Sequence, residues 1–261
     1  MIILKSHYWK ACFIGLIAAC AIVAQPWAGR GGFGRFGGGF GFGNGLLRHT
    51  VTGAPFSAVQ TNESQRTLAN GTKIQNTNQS QVYRDAQGRV RIDTAFSPAP
   101  ASGAGNTQRA MTIIYDPVAG YVYRLNPQKM TAVKSAIPQR PAQTGTKPTH
   151  TPPAGVQTQT QSLGTATING VSATGTQVTT TIAAGTIGNS APIQIVHATW
   201  VSTQLQIPVQ VSVTDPRFGN RSMNLTNIVQ TPPAASLFQV PSGYTVTEGP
   251  ARPEFRGAFR H

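Results

Sequence analysis

Seven carboxylates and five histidines are all this chain offers for acid–base or metal chemistry. Most hydrolases, transferases and metalloenzymes bring several such groups into one pocket, so their scarcity argues against an enzyme. Their placement argues the same way. Asp85 precedes Gly88, Asp116 precedes Gly120 and Asp215 precedes Gly219, each pair bracketing a short polar stretch. An aspartate there accepts hydrogen bonds from the backbone of its own turn, and glycine supplies positive φ. These six residues are therefore expected to build turns, as are Asn169 and Gly170, the strongest short hairpin signal in the chain. Glu63, Asp93, Glu248 and Glu254 remain, the last two near or in the C-terminal tail. His49, His150 and His261 fall in expected loops or tails. His197 falls on an expected strand, where a packed or hydrogen-bonded imidazole is the ordinary outcome. There is no G-x-S-x-G, H-E-x-x-H, P-loop or C-x-x-C, and no G-x-G-x-x-G after a strand. The expectation is no catalytic residue, no metal and no cofactor.

Binding chemistry is better supplied. Tyr121, Tyr123 and Leu125 alternate along one expected strand, and Trp200 sits with Val196 and Ala198 on another. Such residues either fill a core or line an apolar cavity for a lipid-like ligand.

The elements that must position these residues read as strands. From Leu205 to Val213, apolar residues occupy every second position, the mark of a strand with one buried face. Pro208 within it cannot donate to a ladder, which calls for an unpaired side or a bulge. The aspartate turns link Val82–Arg84 to Arg89–Ile92, Met111–Tyr115 to Tyr121–Leu125, and Leu205–Val213 to Asn220–Val229. Asn169-Gly170 links Thr160–Ile168 to Val171–Ile182. Asn126–Lys129 is a further tight turn, and Pro232–Phe238 a short helical one. Ser97–Asn106 and the proline-rich stretch 138–154 read as loops within one domain, since neither half alone has the strands to close a core. The expected fold is mainly β: a single curved antiparallel sheet, incomplete and half-barrel-like, built from hairpins with little helix.

Composition bounds the partners. Apolar residues make up 39% and charged residues 11% of the 261, with a formal net charge of +14. The fifteen arginines spread along the chain, whereas a nucleic-acid reader concentrates them on one face, so no nucleic-acid partner is expected. Diffuse positive charge suits anionic lipid headgroups or lipopolysaccharide, and equally a plain basic, soluble surface.

The first residues address the chain to a compartment. Lys5 and Lys10 precede the apolar run Ala11–Ala24, too short to span a bilayer, which needs about 20 residues. A secretory signal peptide over 1–28 is expected, cleaved after Ala24 or Ala28. A competing interpretation takes Ile17-Ala18-Ala19-Cys20 as a lipobox, with Cys20 lipidated. Both cysteines, Cys12 and Cys20, lie in this segment, so the exported chain would carry no disulfide. Residues 29–45, with ten glycines and four phenylalanines, read as a flexible tether more readily than as an RNA-binding arm. Residues 46–248 form the β domain, and 249–261 a basic tail. Location is expected to be periplasmic or outer-membrane-associated, or else extracellular, in any case near a membrane.

Several motifs also resemble a known family. These are Tyr83-Arg84-Asp85-x-x-Gly88-Arg89-Val90-Arg91, then Ile114 through Tyr123, Leu163-Gly164-Thr165-x-x-Ile168-x-Gly170-Val171, Ala183 through Asn189, Trp200-Val201-Ser202, Ser212 through Gly219, Leu225 through Ile228 and Ser236 through Pro241. In this order, over roughly residues 50–247, they resemble a family of exported proteins frequent in Acidobacteria. More distantly the layout is similar to the LolA-like outer-membrane lipoprotein-sorting superfamily and to DUF4412-type domains. That resemblance implies a strongly curved, unclosed antiparallel sheet holding acyl chains, with no catalytic residues to carry over. It points to a non-catalytic envelope protein that binds a lipid-like or lipoprotein ligand in the concave face of the sheet. The alternatives are a structural or interaction module with an envelope protein partner, and a periplasmic regulator.

Overall fold

A computed structural model of the chain describes residues 46, 47, 49–96, 109–137 and 153–249. The expected signal peptide with Cys20, the 29–45 tether, the loop 97–106, nearly all of the 138–154 loop and the tail beyond 249 lie outside the described residues.

Twelve strands form one sheet: β1 Phe56–Thr67, β2 Lys73–Arg84, β3 Val90–Phe96, β4 Arg109–Asp116, β5 Tyr121–Asn126, β6 Thr131–Ala136, β7 Val156–Ile168, β8 Val171–Ile182, β9 Ile193–Ser202, β10 Ile207–Asp215, β11 Gly219–Val229 and β12 Thr245–Glu248. Their spatial order is β12-β6-β5-β4-β3-β2-β1-β11-β10-β9-β8-β7. Chain neighbours within β1–β6 and within β7–β11 therefore pair as hairpins, and β1 closes onto β11 to join the two runs. The sheet is not closed by hydrogen bonds, since β12 and β7 are its two edges. Every pairing is antiparallel except the last, where β12 lies parallel to β6. The connection from β11 runs through Ala235–Phe238, a 3₁₀ turn, and is long enough for a parallel return, which a tight turn is not.

The turns form where Asp and Gly stand. Asp85 Oδ1 accepts from the N–H of Gln87 and of Arg89, both at 2.9 Å, and Gly88 takes φ +81°. Asp116 Oδ1 accepts from Val118 at 3.0 Å and Ala119 at 2.9 Å. Asn169 and Gly170 both have positive φ, at 50° and 86°, the left-handed pair that matches strand twist in a two-residue hairpin. On β10 the buried positions alternate as expected. Leu205, however, belongs to the preceding turn, where Gln206 has φ +54°. The pairing with β9 slips between Pro208 and Gln210. A bulge at the proline is how a central strand tolerates a residue that cannot donate.

Two hydrogen bonds show that the sheet curls. Arg84 at the end of β2 reaches the Leu205 carbonyl in the β9–β10 turn at 2.8 Å. Three inter-strand spacings, about 14 Å in a flat sheet, separate β2 from β10. Asn169 Nδ2 reaches Leu225 O on β11 at 2.7 Å across an equal number of strands. Curling brings Phe56, Val82, Ile92, Tyr115, Ala173, Leu205, Val209 and Leu225 from both halves into one core.

Candidate functional site

Cross-strand pairing fixes what lines the concave side. Phe56, Arg84, Val90 and Tyr115 lie opposite one another across β1 to β4, and so do Ala58, Val82, Ile92 and Ile113. All but Ile113 are buried, so this end of the concavity is packed. Arg84 closes it. Its Nε and Nη2 donate to Ala54 O at 2.9 and 2.7 Å, Nη2 also donates to Leu205 O, and the guanidinium lies 4.9 Å from the centre of the Phe56 ring. Burial pushes its pKa down to about 10, still far above neutrality, so it stays charged. Neutral carbonyls and a ring face hold this cation.

Two residues further along each strand, the same face turns polar. Gln60 is buried and donates to Asn62 Oδ1 at 3.2 Å. Ser80 and Thr94 share a hydroxyl–hydroxyl bond of 2.8 Å, opposite Gln60 and Met111. On the other side, His197 and Thr199 stand opposite Val213 and Val211, with Thr199 Oγ1 3.3 Å from His197 Nε2. Burial lowers the His197 pKa, so the ring is neutral at neutral pH. The open part of the concavity thus presents amide, hydroxyl and neutral imidazole groups among half-buried apolar ones. Such groups can donate and accept hydrogen bonds. Among the described residues, no three His, Cys, Asp or Glu side chains come together.

The expected cavity residues fall into two places. Tyr121, Tyr123 and Leu125 share one face of β5. Leu125 packs with Ile114 and Ala132 in a second, smaller core, with Tyr123, Val240 and Tyr244 against it. The segment from the 3₁₀ turn to β12 thus lies over this outer face of the sheet. Arg91 fastens it, donating Nη1 to Leu237 O at 3.0 Å while its Nε binds both oxygens of Asp93, and Thr112 donates to Asp93 Oδ1 at 2.6 Å. Arg89 lies over the Phe238 ring at 5.3 Å. Lys134 sits 3.9 Å from the centre of the Tyr121 ring and 3.2 Å from Glu248 on β12. Its pKa is raised mainly by the hydrogen bond to Glu248. Trp200 belongs to the main core, its ring against Gly175, where a Cβ would sit 2.7 Å from Cζ3. The fold does not bring Trp200 to the three β5 residues. Beside Asp93 the outer face carries an open groove of about 280 Å³, lined by Val59, Gln79, Gln81, Ala95, Ala110 and Thr112 among others.

Of the expected turn residues, Asp116, Asp215 and Gly219 are the strand ends that flank turns and the others lie between strands, and the three aspartate carboxylates accept hydrogen bonds there. Burial of Asp215 works against its charge, but the side-chain and backbone hydrogen bonds from Arg217, with Arg221 nearby, hold its pKa below the usual carboxylate value. Arg217 Nη2 donates to Asp215 Oδ2 at 2.7 Å. Sequence reasoning missed Arg84 and the Arg91–Asp93–Thr112 group. Arg84 did leave a signal, since it holds the core parity of β2 with Ser80 and Val82 immediately before a turn. An arginine in register with buried residues must find acceptors inside.

No protein-family model matches the chain, and no curated protein matches it in sequence. Solved structures do. A chain of the Pseudomonas aeruginosa MucA/MucB complex matches with TM-score 0.40 and 11% identity, over 77% of this chain and 61% of that one. The chain spans 60–62% of the MucA/MucB and MucB chains it matches. The Mycobacterium tuberculosis lipoprotein LppX matches with TM-score 0.30 and 14% identity, over 70% of this chain and 90% of that one. A LolA superfamily protein from Nitrosomonas europaea matches with TM-score 0.32 and 10% identity, over 75% of this chain and 96% of that one. A putative outer-membrane lipoprotein-sorting domain from Vibrio parahaemolyticus matches with TM-score 0.24 and 10% identity, over 76% of this chain and 97% of that one.

Proposed function

We propose that this protein is an exported, non-catalytic binding module of the cell envelope. It takes a polypeptide on the open part of its concave face, either an envelope protein or the peptide portion of a lipoprotein. The observation that carries this is the change of lining along β1 and β2, from Phe56, Ala58 and Val82 at the packed end to Gln60, Asn62 and Ser80 beyond it. Paired amides and hydroxyls match the donors and acceptors of a peptide chain, which an acyl chain lacks. Half-buried Met111, Val178 and Ile195 near this region keep a lipid-like ligand as the second reading. On either reading the chain works in the periplasm or at the outer membrane.

The test is native mass spectrometry of protein purified from envelope fractions, paired with photo-crosslinking from Asn62 and Thr94. A crosslinked polypeptide that Gln60→Leu releases supports the proposal. A stoichiometric adduct of lipid mass moves the assignment to the second reading. A clean apo mass and no crosslink, while a control lipid carrier stays loaded, defeats both.

A further inference from the structure

The two edges of the sheet differ sharply. β12 is four residues long, ends in Glu248 and is pinned there by Lys134. β7 is thirteen residues long, Val156–Ile168, about 40 Å of strand. Among the described residues it pairs with β8 on one side and ends the sheet on the other. Natural proteins blunt such edges with lysines, prolines, short strands or bulges, because each unpaired backbone group invites another strand. β7 contains no charged residue and no proline, and its one irregularity is the slip between Ser162 and Gly164. Gln157 through Ser162 are exposed throughout.

The charge map says what can pair there. The whole chain carries +14, so two copies repel over most of their surface. From Thr151 to Val196, however, there is no Lys, Arg, Asp, Glu or His. This charge-free span includes β7, all of β8 and the start of β9.

We infer that β7 is a self-association edge, pairing antiparallel with the β7 of a second copy to make one continuous sheet across a two-fold axis. A second copy meets no charge opposition there, and its own β7 supplies an equal length of unpaired backbone. Such an interface is isologous and closes at two copies, because it leaves only the short, charged β12 edges exposed. This holds whatever occupies the concave face, and failure of either proposal leaves the other standing.

The test is light scattering on the full chain over a range of concentrations. The wild type is expected to run from monomer to dimer and stop. Thr158→Lys/Thr160→Lys places exposed like charges along the paired edge and should raise the dimer dissociation constant by at least about tenfold. Thr158→Glu/Thr160→Glu should do the same alone, and mixing the Lys and Glu proteins should restore a mixed dimer. A monomer at all concentrations overturns the proposal. So does a dimer indifferent to these substitutions, failure of the mixture to associate, or growth past two copies into fibrils. Circular dichroism of the variants separates lost pairing from lost folding.

Discussion

Arg84 carries the most consequence of any single side chain. Phe56, Val82, Leu205 and Leu225 are all but inaccessible to solvent, and Arg84 is buried among them at 2% exposure. It is tolerated because it joins three segments that only the folded chain brings together: Ala54, β2 and the β9–β10 turn. Replacing Arg84 with Ala orphans two carbonyls and opens a cavity, and is expected to cost about 3 kcal/mol, read as a lower urea midpoint. Arg84→Met, which keeps the volume, should cost less. His197 and Asp215 set the acid response. Burial lowers the His197 pKa, so the unfolded chain binds a proton more readily than the folded one. Its contribution to stability is full above about pH 6.5, the unfolded value, and is lost as pH falls through and below it. Asp215 is also lowered in the folded state. Its contribution is present above the ordinary carboxylate range and is lost as pH falls below it. Stability should therefore fall in two acid steps, and His197→Gln should remove the first while leaving the second. Thermal melts from pH 8 to pH 3 check both, and a wild type flat between pH 7.5 and 5.5 would contradict the His197 assignment.

At the scale of elements, the turns are the legible part of the chain. Asp or Asn at the start and Gly at the end locate the β2–β3, β4–β5, β7–β8 and β10–β11 turns, because local backbone geometry decides them without long-range contacts. Substitution tells a turn glycine from one that also packs. Gly170 and Gly219 both have positive φ, at 86° and 88°. Nothing lies within 4 Å of a Cβ on Gly170, whereas a Cβ on Gly219 would run into the Gln65 carbonyl in the neighbouring hairpin. Gly170→Ala should cost about 1 kcal/mol, the price of the left-handed backbone alone. Gly219→Ala should cost clearly more, because it also forces apart β1 and β11, the seam between the two runs of hairpins. Equal losses in denaturant titrations would contradict the close approach. Strand ends were less legible. Leu205 continues the alternation of β10, yet lies in the turn, because a period of two cannot tell a strand residue from a turn residue that also points into the core.

For the whole molecule, the C-terminal segment from the 3₁₀ turn to β12 serves as a strap. It covers Ile114, Leu125 and Ala132 and fills the outer edge of β6. Truncation after Thr231 should bare that cluster, raise binding of a hydrophobic dye and lower the urea midpoint. Fluorescence of Trp200, which sits against Gly175 in the other core, should hold its wavelength until the global transition. Sequence alone determined the class of fold, the hairpin succession, the turn positions and the sparse acid–base chemistry. Each follows from residues within a few positions of one another, where alternation and turn propensity act. Only the tertiary structure decided which hairpins became neighbours, with β1 joining β11. The same holds for the curl that lets Arg84 reach Leu205, for the parallel return of β12, and for the separation of Trp200 from Tyr121, Tyr123 and Leu125. These depend on contacts between residues scores of positions apart, and a strand's alternation marks a buried face without naming what buries it. The change of lining along the concave face was equally hidden. Gln60 and Ser80 read as ordinary polar strand residues until pairing placed them opposite each other, beyond a core that Phe56 and Val82 had already filled.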